Sequence, residues 1–203
     1  MKIVLATGNP GKVAEFEDLV SHLDINCVTQ AELGVTSVDE TGLTFVENAL
    51  LKARHAVNET GLPAIADDSG LVVAGLDDEP GIFSARYAGD GCSLEDCIDK
   101  VLLNLKGKTG DQRRAYFYSS VVFMTSAKEA APCIANGIWH GEILQSRQGN
   151  RGMGYDPIFY IPDHGCSAAE LEVSFKNRIS HRGQAMQQLC QLMGWQPVAR
   201  TMP

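Results

Sequence analysis

The apolar residues of this chain fall into two kinds of pattern, and their order along the sequence predicts an α/β protein. Ile3, Val4, Leu5 and Ala6 form an unbroken apolar run that stops at Thr7-Gly8, as a buried strand does. Over residues 12–23, Val13, Phe16, Leu19, Val20 and Leu23 recur at helical spacing. A second helix opens on the capping box Thr44-Phe45-Val46-Glu47, keeps Phe45, Ala49, Leu50, Ala53 and Val57 apolar, and stops near Gly61. Residues 63–66 predict a short strand that ends at Asp67-Asp68-Ser69-Gly70. Ser93 caps a third helix, with Leu94, Cys97, Ile98, Val101, Leu102 and Leu105 along one side. Strands follow over 115–124, 134–144 and 157–161, and a last helix ends near Gly194 with Met186, Leu189, Cys190 and Met193 as its buried stripe. We read residues 1–203 as one α/β domain with a mixed sheet, its two lobes flanking a central cleft that is the default ligand site. Residues 195–203 read as a loosely docked tail.

Composition narrows the functions open to such a fold. At 44% apolar and 21% charged residues the chain has the balance of an ordinary globular protein. No window approaches the roughly 20 consecutive apolar residues that cross a bilayer, and the opening run is too short for a signal peptide. We therefore expect a cytoplasmic protein with no membrane partner. The net charge of −8 disfavours non-specific binding to nucleic acid, whose affinity comes from neutralising phosphates with Lys and Arg. A small phosphorylated ligand needs only a local cluster of donors. The six cysteines form no CxxC pair and have no His at zinc-like spacing, so reduced and mostly buried thiols are expected.

Five short segments carry candidate chemistry. Thr7-Gly8-Asn9-Pro10-Gly11-Lys12 lies between the first strand and first helix, where backbone N–H groups, a helix N-terminus and a cation favour phosphate. It is not a Walker A loop, because the spacing is two residues short and Val13 follows the lysine. A plain strand-to-helix turn with an incidental Lys is the alternative. In Asp67-Asp68-Ser69-Gly70, adjacent carboxylates at a strand end point to different sides, so one can hold a metal while the other supports it or acts as a base. Glu40 is a further hard ligand, Mg²⁺ suits such oxygens, and a polar turn is the alternative. Asn48 and Lys52 share a polar helical face that solvent alone would explain. Gly152-Met153-Gly154-Tyr155-Asp156-Pro157 reads as a ring-clamping loop or a hairpin turn. Lys176 with Ser180-His181-Arg182-Gly183 reads as an anion or base-edge reader, or as a basic surface cluster.

In this order the motifs resemble the inosine triphosphate pyrophosphatase family, hydrolases of deaminated purine nucleotides. The resemblance rests on Thr7-Gly8-Asn9 with Lys12, Glu40-Thr41-Gly42, residues 45–53, Asp67-Asp68-Ser69-Gly70 and Pro80-Gly81 with Ser84-Ala85-Arg86-Tyr87. It continues through Gly154-Tyr155-Asp156-Pro157 to Ser180-His181-Arg182-Gly183, so it spans nearly the whole chain. It implies a homodimer that converts inosine, deoxyinosine or xanthosine triphosphate to the monophosphate and pyrophosphate with Mg²⁺. Thr7, Gly8, Asn9, Pro10, Gly11, Lys12 and Lys52 would hold the triphosphate. Asp68 would be general base and metal ligand, Glu40 and Asp67 would complete the metal environment, and Ser69 would touch substrate. Met153, Gly154, Tyr155, Asp156, Lys176, His181 and Arg182 would surround base and sugar. The family usually has an aromatic residue in place of Met153, whose thioether covers a ring face less rigidly. A nucleotide kinase and a non-catalytic nucleotide sensor are the competing readings.

Overall fold

A computed structural model of the chain describes residues 1–196. Seven strands form one mixed sheet in the order β2-β1-β3-β4-β5-β6-β7. They are β1 (Lys2–Leu5), β2 (Asn26–Thr29), β3 (Ala64–Val73), β4 (Arg114–Met124), β5 (Cys133–Ile143), β6 (Phe159–Ile161) and β7 (Cys166–Ser167). The helices are α1 (Pro10–Val20), α2 (Phe45–Thr60), α3 (Leu94–Asn104), α4 (Val173–Ile179) and α5 (His181–Met193). β1 runs parallel to both β2 and β3, as the intervening helical crossovers require, whereas β5-β6-β7 is antiparallel. The residues divide into two compact units, one of Met1–Asp68, Ser119–Gly137 and the segment from Arg182 onward, the other of Ser69–Tyr118 and Ile138–His181. Among the described residues no helix is long and apolar enough to cross a membrane.

In the first unit, strand alternation divides the core in two. Ile3 and Leu5 join Phe16 and Val20 of α1, Val121 and Phe123 of β4, and Met186 and Leu189 of α5. Val4 and Ala6 point the other way and meet Ala49, Ala53 and Val57 of α2, with Ala64, Ala66, Val122 and Met124. Small alanines on α2 let that helix lie close to its strands, and burying each large side chain contributes roughly 1.5–3 kcal/mol. The second unit is centred on aromatic rings, with Phe117 and Phe159 at 4.6 Å and Trp139 and Phe159 at 5.3 Å between centroids. Leu71, Val73, Cys97, Ile98 and Val101 complete that core.

Several boundaries differ from the sequence reading. α1 starts earlier because the Asn9 side chain accepts from the Gly11 and Lys12 amides, and Pro10 at the first turn needs no amide partner. It ends at Val20, and Leu23 reaches the core from outside the helix. β3 does not stop at the acidic pair but runs through it to Val73. The carboxylates are met by cations, so the strand carries them without breaking. Residues 156–158 form a 3-10 turn before β6 rather than strand. The short, half-exposed β2 has too little apolar pattern to be read from sequence. Trp195, at the start of the expected tail, packs edge-on against Phe123 at 5.3 Å. Residues 197–203 of that tail lie outside the described residues.

Candidate active site

Alternation along β3 decides where the two aspartates go. Ala64 and Ala66 face α2 and Ile65 faces α1 and α5, so Asp68 joins the α2 side and Asp67 the other.

Asp67 is buried and saturated. One oxygen takes the Ser119 hydroxyl hydrogen, while the other meets Lys12 Nζ at 2.6 Å and Arg182 Nε and Nη2 at 3.4 Å. Burial alone would raise this carboxyl's pKa, but the Lys12 and Arg182 charges win and hold it far below the ordinary carboxylate range. Arg182 extends the network by pairing with Glu15 of α1, itself buried. Lys12 has its pKa lowered by burial and by the Arg182 and Lys52 charges, so its ammonium shares one carboxylate with a second cation.

Asp68 is held differently. Its Oδ1 accepts from Lys52 Nζ at 2.8 Å, and its Oδ2 from the Asn48 amide at 3.3 Å. Lys52 also donates to Glu40 Oε1 at 2.7 Å, and against burial the Asp68 charge, with that of Glu40, raises its pKa. Burial, with the Glu40 charge, pushes the Asp68 carboxyl upward against Lys52. A carboxylate tuned upward beside one tuned downward is how a site separates a proton acceptor from a fixed charge. In all, Lys12, Lys52 and Arg182 face Glu15, Glu40, Asp67 and Asp68, leaving one formal negative charge.

Asn48 latches this arrangement. It is fully buried, and its Oδ1 accepts the Gly42 amide hydrogen at 2.8 Å. That bond fixes the amide's orientation and leaves Nδ2 as donor to Asp68. A Cβ on Gly42 would fall 2.6 Å from Glu47 Cβ and 2.7 Å from Asn48 Oδ1, so only glycine lets the Glu40-bearing segment approach α2 this closely. The α2 face of Asn48 and Lys52, which solvent alone could explain, is thus partly interior, and Glu15 and Ser119 join the candidates. Glu15 carried a readable signal, standing three residues after Lys12 on one helix; Ser119 carried none.

Glu40 Oε1 and Asp68 Oδ1 converge on one ammonium, so these hard oxygens are near enough to grip a single cation, the donor chemistry a Mg²⁺ ion takes. Among the described residues no three or more His, Cys, Asp or Glu side chains group as a complete metal cage. Water and ligand oxygens would have to supply the rest. At the turn from β1, the Thr7 hydroxyl accepts from the Asn9 amide at 3.2 Å, which shapes the entry to α1. A Cβ on Gly8 would meet only Ser37 Oγ at 3.6 Å, an ordinary contact, so packing does not demand glycine there.

The second unit holds the remaining candidates. Asp156 Oδ2 accepts from Lys176 Nζ at 2.7 Å and from the Met153 amide at 2.8 Å, both Asp156 and Lys176 being buried. Gly152 and Gly154 turn through positive φ of 79° and 58°, and a Cβ on Gly152 would stand 2.0 Å from Asp156 Oδ2. Tyr155 is pinned by its hydroxyl, which donates to the Ser84 carbonyl at 2.7 Å. The His181 ring stacks on Phe117 at 4.8 Å. Ser69, the first residue of this unit, is half-buried in β3. Arg182, read from sequence with His181 as a base reader, is committed instead to Asp67 and Glu15 in the first unit.

The sequence model of the Ham1 family matches residues 3–192. The dITP/XTP pyrophosphatase of Photorhabdus laumondii subsp. laumondii is 53% identical over 188 residues, covering 93% of this chain and 95% of that protein. The dITP/XTP pyrophosphatase of Legionella pneumophila (strain Paris) is 50% identical over 192 residues, covering 95% and 98%. Among solved structures, a HAM1 protein from Coxiella burnetii superposes with a TM-score of 0.89 at 47% identity, covering 96% of this chain and 98% of that one. A nucleoside-triphosphatase / dITP/XTP pyrophosphatase from Mycobacterium abscessus superposes with a TM-score of 0.75 at 36% identity, covering 93% and 98%.

Proposed function

The chain belongs to the Ham1 family, and on that footing we propose that it is a nucleoside-triphosphate pyrophosphatase. Its substrates are deaminated purine nucleoside triphosphates, inosine, deoxyinosine or xanthosine triphosphate, and its products the monophosphate and pyrophosphate. The observation that carries this reading is the meeting of Lys52 with both Glu40 and Asp68, beside Lys12 on Asp67. Two lysines and a pair of oppositely tuned carboxylates suit phosphoanhydride hydrolysis, in which charge must be neutralised and water deprotonated.

Glu40 and Asp68 would hold Mg²⁺, with Asp67 supporting from the other face of β3. Bound there, the ion would withdraw charge from phosphate oxygens. Asp68 accepts the proton of the water that attacks the α-phosphorus, and its raised pKa makes it a better acceptor than an ordinary carboxylate. Lys12 and Lys52 neutralise the departing pyrophosphate. Thr7, Gly8, Asn9, Pro10 and Gly11 present the turn along which phosphate approaches, which accounts for a glycine at position 8 that packing leaves optional. Ser69 touches the substrate. Met153, Gly154, Tyr155, Asp156, Lys176 and His181 read the purine and sugar, with Arg182 acting through Asp67. A purine 6-carbonyl meets donors there, whereas adenine would set N–H against N–H, a costly mismatch. From the family resemblance we further propose a cytoplasmic homodimer, which light scattering would test.

The deciding assay measures pyrophosphate release from inosine triphosphate with Mg²⁺ and no acceptor, against adenosine and guanosine triphosphates. We expect rapid release from inosine triphosphate and little from adenosine triphosphate, while guanosine triphosphate, which shares the 6-carbonyl, tests whether the 2-amino group is read as well. A kinase would require an acceptor, and a sensor would release nothing.

A further inference from the structure

We propose that Cys92 and Cys97 form a reversible oxidation site, an internal dithiol that a peroxide closes to a disulfide and that is wired to the Tyr155 turn. Their sulfurs lie 3.2 Å apart, Cys97 fully buried in the first turn of α3 and Cys92 half-exposed just before its Ser93 cap. Such a pair puts an accessible thiol in front of a sheltered one that can resolve it. Disulfides in reducing compartments are mostly of this transient kind.

The pair sits in the buried cluster that holds Tyr155. Tyr155 and Cys97 are both buried there with Cys92 packed against the cluster, and the Tyr155 hydroxyl is held by donating to the Ser84 carbonyl. Across their 3.2 Å contact either sulfur can donate to the other. This contact and burial raise the Cys92 pKa, so the thiolate that attacks peroxide is scarce and oxidation is slow at neutral pH.

The chemistry balances without a further reactant. The Cys92 thiolate attacks a peroxide oxygen and the O–O bond breaks, giving a sulfenic acid and hydroxide, which takes up the thiol's proton as water. Cys97 sulfur then attacks Cys92 sulfur, the S–O bond breaks, and hydroxide leaves with the Cys97 proton as a second water. Two thiols lose two electrons and the peroxide gains them. Drawing the sulfurs from 3.2 Å to the ~2.05 Å of a disulfide shifts the buried Cys97 side chain within the cluster it shares with Tyr155. Tyr155 precedes Asp156, so the change reaches the turn assigned above to purine reading, although the oxidation itself does not depend on that assignment.

The test treats the full-length, reduced enzyme with hydrogen peroxide, then alkylates, digests with trypsin and weighs the fragments. Both thiols fall in the segment 87–100 between Arg86 and the cleavage after Lys100. We expect that segment to lose two hydrogens and refuse alkylation until dithiothreitol is added, and a Cys92→Ser variant to show neither change. In nitrogen–proton NMR spectra the Tyr155 and Asp156 amide signals should shift on oxidation and return on reduction. Added oxygens without loss of hydrogen, continued alkylation, or closure with both amide signals unmoved would each overturn the proposal. These readouts involve no nucleotide, so a failed pyrophosphate assay would strike the proposed function alone.

Discussion

Asp67 and Asp68 show how neighbouring identical side chains acquire opposite chemistry. Asp67, gripped by Lys12 and Arg182, stays ionised at any pH the protein meets, whereas burial beside Glu40 lifts Asp68. Replacing Asp68 with Asn preserves shape but would remove the proposed proton acceptor and one proposed ligand charge. We expect turnover to fall at least ~10²-fold, the usual cost of losing a general base, in the pyrophosphate assay. Near-normal turnover would remove Asp68 from the chemistry. Asp67→Asn should act on stability as well. It strands two buried cations, which costs about 3–5 kcal/mol. Because the folded pKa of Asp67 lies below its unfolded value near 4, its contribution is complete above that pH and fades as pH falls toward the folded value. Urea unfolding should therefore show a large gap between wild type and variant at pH 7, narrowing below about pH 4. A gap that widened in acid would contradict the Lys12–Asp67–Arg182 network.

Among the elements, helices were the most legible. α2 starts where Thr44 caps it and ends at Gly61, whose φ of 66° suits glycine, because both signals are local. From sequence β3 reads as ending at two carboxylates until their cations are known, and those come from 16 and 55 residues away in Lys52 and Lys12. The same reason hides the burial of Asn48, which depends on a loop that folds back through Gly42. The 152–156 turn was legible as a turn, but its internal Met153–Asp156 bond was not. That turn yields a prediction. Gly152→Ala combines a φ of 79° with a Cβ 2.0 Å from Asp156 Oδ2, so the turn must open and Asp156 must leave the Met153 amide or Lys176. If the turn reads purines, KM for inosine triphosphate should rise by more than tenfold while kcat changes less. A fall in kcat at unchanged KM would place the turn in the chemical step instead.

At the scale of the whole molecule, the net charge of −8 sets a requirement on any polyphosphate ligand: attraction has to come from a few cations that a repulsive surface does not cancel. In the free protein Lys12 and Lys52 are occupied by carboxylates, so binding exchanges those partners for phosphate oxygens rather than filling bare cations. On the proposed function, Glu40 and Asp68 would hold a divalent cation in place of Lys52, which would leave that lysine to the ligand. Binding to the folded state alone adds about 2.7 kcal/mol at a ligand concentration 100 times Kd. Since about 1 kcal/mol moves Tm by ~2–4 °C in a protein of this size, a non-hydrolysable inosine triphosphate analogue with Mg²⁺ should raise Tm by roughly 5–11 °C in a thermal scan. Without Mg²⁺ the lysines stay on their carboxylates and the shift should shrink. An adenosine analogue at the same concentration should shift Tm less, because the penalty for a mispaired 6-amino group falls on binding. Equal shifts for the two analogues would move selectivity out of the binding step and into turnover.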